Sequence, residues 1–294
     1  MSTDSTVIRR LYTLGRIGTP LSGSILPNIG SSNGEKMQEV VVCVRQGVMH
    51  IQFNRPTRRN ALTDTMYLGI VSALEEASND GSIKVVVLSG AGGSFTAGHD
   101  LGGFLDQPPK AISSPVFVFL AELARHSKPV IAAVEGVAIG VGTTMLLHCD
   151  MVYAATDARF AMPFVSLGLA PEGASSMLLT SLGGRQRAAE KLMLGEQFTA
   201  EEAFRLGLVN RLLPAHDVVT HAFAQAERLT KLPGGSVQGV KRLMAHAMPT
   251  STEDVVRQMA LEVESFAERL DSASFREAMS AFREKRSADF SGLN

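Results

Sequence analysis

The sequence predicts an α/β fold with a helical C-terminal subdomain, on three observations. Short, continuous apolar runs, KVVVLSG (84–90), PVIAAVEG (129–136) and DMVYAA (150–155), have the length and β-branched content of buried strands. Segments of helical apolar spacing alternate with them, as at Met66, Ile70, Leu74 and Ala77. Past Gly183 the chain turns mainly helical.

Residues 1–36 stand apart. They are rich in Ser, Thr and Gly, with Arg9, Arg10 and Arg16 set against Asp4 and Glu35, and read as a flexible N-terminal extension whose composition also suits a transit peptide. From Glu39, EVVVCVRQGVMHIQFN gives two strands around a Gln46-Gly47 turn, broken by the polar RPTRRNAL (55–62) and its Pro56. The helix through Met66 stops near Gly81, and the strand 84–90 follows. The strand 129–136 feeds the glycine-rich turn EGVAIGVG (135–142), an apolar helix from about Gly142 to His148, and the strand 150–155. AEEAFRLG (200–207) is helical and LVNRLL (208–213) a short strand; amphipathic helical runs then cover 215–231, 236–246 and 251–286.

Composition excludes several classes of function. With 294 residues, 45% hydrophobic and 19% charged, the chain can bury a large core. A net charge of -1 and a pI near 6.7 give no cationic field, so no nucleic-acid partner is expected and an anionic ligand must be met by local clusters. Cys43 and Cys149 show no CxxC spacing, which predicts neither a disulfide framework nor a metal site and fits a reducing compartment. The apolar run from Pro129 to Val152 contains a GxxxG pair at Gly136 and Gly140, but Glu135, His148, Asp150 and the repeated glycines make it a poor membrane span. The expectation is a cytoplasmic protein with no membrane partner, or a mitochondrial matrix protein if the source is eukaryotic.

Two glycine-rich turns and one glutamate are the chemical features. SGAGGSFTAGHDL (89–101) follows a strand as a dinucleotide loop would, yet Phe95 stands where GxGxxG needs its last glycine, and no lysine completes a phosphate loop. This turn and EGVAIGVG end strands, where paired backbone N–H groups suit an oxygen gaining negative charge. AMPFVSLGLAPEGASS (161–176) holds a single ionisable group, Glu172, between Arg159 and Arg185. Pro171 and Gly173 beside it fit either an exposed turn glutamate or a carboxylate kept for use.

FTAGHDL, KPVIAAVEGVAIGVGTTMLLHCDMVYA (128–154), RFAMPFVSLGLAPEGASS (159–176) and FNRPTRRNAL (53–62) together resemble the crotonase (enoyl-CoA hydratase/isomerase) superfamily, from about Val40 to Arg286. The resemblance implies a crotonase-like ββα spiral core, over 37–200, and a C-terminal helical oligomerisation region, over 201–294, assembled as a homotrimer or homohexamer. The implied partner is an acyl-CoA thioester. Its oxygen would be held in an oxyanion hole made by the backbone N–H groups of His99 and Val141, with substrate and coenzyme A contacts from Arg58, Arg59, Ala61, Ala97, Gly98, Asp100, Leu101, Gly140 and Phe164. No redox cofactor or metal is implied, since coenzyme A arrives as part of the substrate.

The sequence departs from the hydratases of that superfamily: Thr144 and Phe164 occupy the positions of their two acid/base glutamates. Glu172 is left as the candidate catalytic base, and PFxxLGLxPEGxSS is similar to the Δ3,Δ2-enoyl-CoA isomerases of peroxisomal type, in which this glutamate is the base. Glu135 is the rival carboxylate. His99 reads as pocket wall, His148 as a core histidine and Asp100 as an organiser of its loop. Arg55, Arg58 and Arg59 form the expected phosphate-binding cluster, and Arg283, Lys285 and Arg286 a second basic run that could reach a neighbouring subunit's ligand. Other acyl-CoA chemistry of the superfamily, hydration or hydrolysis, and a noncatalytic acyl-CoA binder are the alternatives.

Overall fold

The computed structural model describes residues 38–247 and 251–293, and the expected N-terminal extension, 1–36, lies outside them. One compact unit begins at Glu39. Strands β1 (Val40–Arg45) and β2 (Val48–Phe53) pair antiparallel across Gln46 and Gly47, whose φ values of 52° and 81° suit a two-residue hairpin. β3 (Val85–Gly90) and β4 (Val130–Val134) are buried along their whole length, as parallel strands covered by helices must be. Helix α1 (Asp64–Asn79) lies between β2 and β3, and α2 (Leu101–Asp106) and α3 (Pro115–Arg125) lie between β3 and β4.

The chain then divides its strands between two sheets. β5 (Val137–Ile139), β7 (Arg159–Ala161) and β8 (Phe198–Thr199) form a small sheet in the order β5-β7-β8. The large sheet has the order β1-β2-β3-β4-β6-β9, with β6 at Met151–Ala155 and β9 at Arg211–Leu213. β4 and β5, and again β6 and β7, each place one strand in each sheet before a helical segment follows, which is the expected ββα spiral. The first crossing occurs at Gly136, φ 58°, where an added Cβ would lie 2.4 Å from the Gly93 carbonyl oxygen. Only glycine fits that approach.

After β5 come α4 (Val141–Thr144) and a 3₁₀ turn, Met145–His148; α5 (Ser175–Gly183), α6 (Arg185–Ala189) and α7 (Ala200–Leu206) follow β7. α8 (Ala215–Thr230) packs on β3, β4 and β6, and α9 (Gly234–Ala247), α10 (Thr252–Leu270) and α11 (Ala273–Glu284) complete the chain.

Three expectations change. Residue 200 is not a domain boundary, because β9 pairs with β6 inside the large sheet. The run 251–286 is two helices, since Ser272 accepts the Phe275 N–H at 3.1 Å and starts α11 anew. Helix α5 begins eight residues before Gly183. Among the described residues no helix is long and apolar enough to cross a membrane.

Asn60 ties the loops at the ends of β2 and β3. It is fully buried at φ 56°; its Oδ1 accepts the Arg55 N–H at 2.8 Å, and its Nδ2 donates to Ala91 and Ser94 carbonyls at 2.8 and 2.6 Å. Asn60→Ala strands all three groups and removes a side chain tolerant of left-handed backbone, so chemical denaturation should show a loss of about 3 kcal/mol.

Candidate active site

The loop after β3 is shaped by what it approaches. At Gly98, φ +90°, a Cβ would lie 2.5 Å from the Ile139 carbonyl oxygen, so a side chain is excluded. Thr96 N–H donates to the Val137 carbonyl at 2.9 Å and Ile139 N–H to the Thr96 carbonyl at 3.1 Å, joining this loop to β5. Leu62 N–H donates to the Gly98 carbonyl and Asp100 N–H to the Leu62 carbonyl, both at 2.8 Å. That parallel bridge uses the groups flanking His99 and turns the His99 N–H to the other side.

The second turn supplies a matching group. Gly140, at φ 55° and ψ −120°, donates its N–H to the Ala161 carbonyl at 2.8 Å and ends β5. Val141 is then the first residue of α4, where backbone N–H groups have no intrahelical acceptor. His99, Val141, Gly98 and Gly140 all line one cavity of about 150 Å³, and so does Glu172. The remaining wall is apolar, including Phe104, Phe117, Phe266 and Met279.

Glu172 is not a surface turn residue: it is 3% exposed. Its Oε1 accepts from Thr144 Oγ1 at 2.5 Å, while Oε2 has no protein partner among the described residues. Burial pushes its carboxyl up to about 8, opposed by the Thr144 hydroxyl and assisted by the charge of Glu262. The Pro171-Glu172-Gly173 loop is anchored by His148, whose Nε2 lies 2.8 Å from the Gly173 carbonyl oxygen. A carbonyl only accepts, so His148 carries its proton on Nε2; burial lowers it to about 4 and keeps it neutral.

The remaining expected residues separate into wall, frame and rim. Ala97, Leu101 and Phe164 are in the cavity wall, and Phe164 is buried there. The His99 ring lies edge-on to Phe104 at 5.2 Å with Nδ1 3.3 Å from the Tyr67 hydroxyl, and burial lowers its pKa. It is wall, as expected. Asp100 accepts from the Gly102 and Gly103 N–H groups, starting α2, and pairs with Arg55 at 2.9 Å. Burial works against its charge, yet the Arg55 and Gly103 hydrogen bonds more than offset this and hold it below the ordinary carboxylate range.

Arg55 leaves the expected phosphate-binding cluster, since it also pairs with Glu39 at 2.9 Å and donates to the Ala61 carbonyl at 2.6 Å. Ala61 therefore enters the frame through its backbone. Arg58 and Arg59 are exposed on the rim and are not in the cavity wall; the Arg59 carbonyl accepts the Ala97 N–H at 2.8 Å, which sets their loop beside that of Gly98. Glu135 lies outside the cavity, its carbonyl holding the Phe95 N–H. Arg286 is engaged by Glu277 and Glu284 of its own chain rather than left to reach outward. Among the described residues no group of three or more His, Cys, Asp or Glu is placed to hold a metal ion.

Thr144 as the partner of Glu172, His148 as the anchor of its loop, and the wall residues Phe104, Phe117 and Phe266 were not readable as site components. Thr144 precedes Glu172 by 28 residues, and the two meet only because β6 and β7 return the chain to α4.

The family model described as enoyl-CoA hydratase/isomerase matches residues 44–293. The chain is 32% identical over 257 residues to 2,3-dehydroadipyl-CoA hydratase of Escherichia coli (strain K12), covering 87% of this chain and 100% of that protein. It is 36% identical over 214 residues to enoyl-CoA delta isomerase 2 of Homo sapiens, covering 70% of this chain and 54% of that protein. The crystal structure of enoyl-CoA hydratase/isomerase from Pseudoalteromonas atlantica T6c superposes with a TM-score of 0.81 at 39% identity, covering 86% of this chain and 100% of that one.

A carboxyl raised from 4.5 to about 8 holds its proton more tightly in the folded than in the unfolded chain. Its contribution to stability is therefore present at low pH and is lost as pH rises through about 8. Glu172→Gln, which cannot ionise, should leave the melting temperature little changed at about pH 4 and raise it relative to wild type at about pH 9, as read by calorimetry.

Proposed function

The chain belongs to the enoyl-CoA hydratase/isomerase family, and we propose that within it the protein is an isomerase moving the double bond of a 3-enoyl-CoA to the trans-2 position. The observation that carries the reading is Glu172 itself, a buried carboxylate in the wall of an apolar cavity with one oxygen unpartnered among the described residues; the resemblance puts the two carboxylates that hydration would use at Thr144, which donates to Glu172, and at Phe164, which is in the wall.

In the proposed step, Glu172 Oε2 takes a proton from C2, and the C–H electron pair becomes the C1–C2 double bond of a dienolate. Negative charge passes to the thioester oxygen, which the His99 and Val141 N–H groups receive. The dienolate then takes the proton back from Glu172 at C4, leaving the double bond between C2 and C3. Nothing is oxidised or reduced and no water is consumed, so neither a redox cofactor nor a metal is needed. Each oxyanion donor is worth about 3 kcal/mol of activation free energy. The apolar wall makes the carboxylate a stronger base toward carbon and keeps water from the dienolate.

The cavity is comparable in volume to an apolar protein cavity that admits benzene, which suits an acyl chain of roughly six carbons. Arg58 and Arg59 would meet the phosphates of coenzyme A on the rim. A homotrimer or homohexamer is part of this reading, with α9 exposing Val240, Leu243 and Met244 as an apolar stripe for another copy to cover.

Turnover of 3-hexenoyl-CoA and of 2-hexenoyl-CoA in water, with products identified by double-bond position, tests the reading. The expected result is isomerisation of the first and slow or no hydration of the second; rapid formation of 3-hydroxyhexanoyl-CoA would overturn it. Glu172→Gln should lower kcat by about 10² to 10⁴ while acyl-CoA binding persists. Because the base must be ionised, kcat/KM should rise about tenfold per pH unit below a midpoint near 8, where the carboxyl titrates, and level off above it.

Arg58→Ala combined with Arg59→Ala should raise KM more than it lowers kcat, since both charges lie outside the reacting cavity. An unchanged KM would remove them from the coenzyme A site.

A further inference from the structure

Glu262, on α10, is a second buried carboxylate that the proposed step leaves unused; it is 5% exposed. Its Oε1 accepts from the Ser176 N–H at 3.0 Å and from Ser176 Oγ at 2.5 Å. Gln258, one turn earlier on α10, donates to the same Ser176 Oγ at 2.9 Å. Oε2 of Glu262, like Oε2 of Glu172, has no protein partner among the described residues.

The location gives these contacts meaning. Ser176 is the second residue of α5, and its N-cap position is Ala174, which has no side chain to accept the free N–H groups of the first turn. Glu262 supplies the missing acceptor from another helix, and a carboxylate at a helix N-terminus is favoured by the helix dipole. The capped turn is the direct continuation of the Glu172 loop, since Ser175 N–H donates to the Glu172 carbonyl at 3.2 Å. We propose that Glu262 is a positioning residue for Glu172: it fixes the start of α5 through Ser176 and sets a second buried carboxylate beside the loop that carries the base.

This inference rests on Glu172 being the base. Capping alone does not require a buried acid, because a neutral amide would accept from Ser176 equally well. What a carboxylate adds is charge. Burial raises both carboxyls, and Glu262 is the charged group whose field raises Glu172 further. The other titratable groups on the surrounding elements are shifted by burial and by charges other than that of Glu262. Tyr67 of α1 is pushed well up by burial and by the charges of Glu172, Asp64 and Asp100. His99 is lowered by burial, and His148 is held near 4. On α3, which packs against α10, Glu122 is raised by burial and by Glu75 of α1 and lowered by Arg125 of its own helix. Two acids in one buried region do not ionise independently, so removing the charge of one makes the other a stronger acid and a weaker base.

The test titrates Glu172 directly. In protein labelled with ¹³C at glutamate carboxyls, the Glu172 signal is the one missing from Glu172→Gln, and it is followed with pH in wild type and in Glu262→Gln. The Gln variant keeps an acceptor for Ser176 and so keeps the cap. Its Glu172 midpoint should fall by about half to one pH unit, and the acid limb of kcat/KM for 3-hexenoyl-CoA should move down with it. Glu262→Ala, which loses the cap as well, should in addition lower kcat severalfold more than the Gln variant, with KM little changed. An unmoved Glu172 midpoint in Glu262→Gln overturns the proposal whether or not the Ala variant folds. The titration needs no turnover, so this failure is separate from that of the isomerase reading, which Glu172→Gln activity decides.

Discussion

The structure of the site depends on one unfavourable arrangement: a carboxylate held in an apolar cavity with, among the described residues, a single hydrogen-bond donor. Burial disfavours the ionised glutamate there, no cation among the described residues pairs with it, and its protonated form is favoured up to about pH 8. A flexible loop would relieve the strain by turning the side chain to water. The loop is prevented from doing so on three sides, by Thr144 at Oε1, by His148 at the Gly173 carbonyl and by the Glu262-capped turn of α5. Each of these is a neutral or anionic contact. None neutralises the carboxyl, so the arrangement holds Glu172 in place without making it a weak base.

The same logic runs through the backbone. Two turns can aim N–H groups at one oxygen only if the loop after β3 runs alongside β5, and this requires chain segments to approach more closely than side chains permit. Gly136 passes the Gly93 carbonyl, and Gly98 lies against that of Ile139. The split of β4 and β5 between two sheets therefore serves the site as much as the core. Arg55 and Asn60 hold the far side of the same loops, using one guanidinium and one amide in place of regular secondary structure.

Legibility in the sequence followed the range of the interactions. The hairpin, β3, β4, β6 and the helix through Met66 are patterns of neighbouring residues, and their apolar runs located them. β5 and β7 have three residues each and lie inside longer apolar stretches, so periodicity had too few positions to register. Glu172 stood out because nothing else near it is charged, yet whether it was buried or a surface turn depended on contacts with α4 and α10. Arg55 shows the opposite failure: clustered with Arg58 and Arg59 it looked like a ligand-binding cation, whereas Asp100, 45 residues away, had already engaged it.

Thr144 connects the fold to the choice of reaction. The resemblance to the hydratases puts one of their carboxylates at this position; here the threonine hydroxyl turns to Glu172 and donates to Oε1. A glutamate side chain in the same place would set a second carboxylate against the first, and like charges in a buried site force one of them to keep its proton. Retaining Glu172 as an ionisable base is thus hard to combine with a carboxylate at residue 144. On the resemblance, the threonine stands in place of a group needed to activate water, and it supplies the one hydrogen bond to the Glu172 carboxylate found among the described residues. On the proposed reading, the loss of hydration and the gain of a positioned proton carrier are two consequences of a single residue.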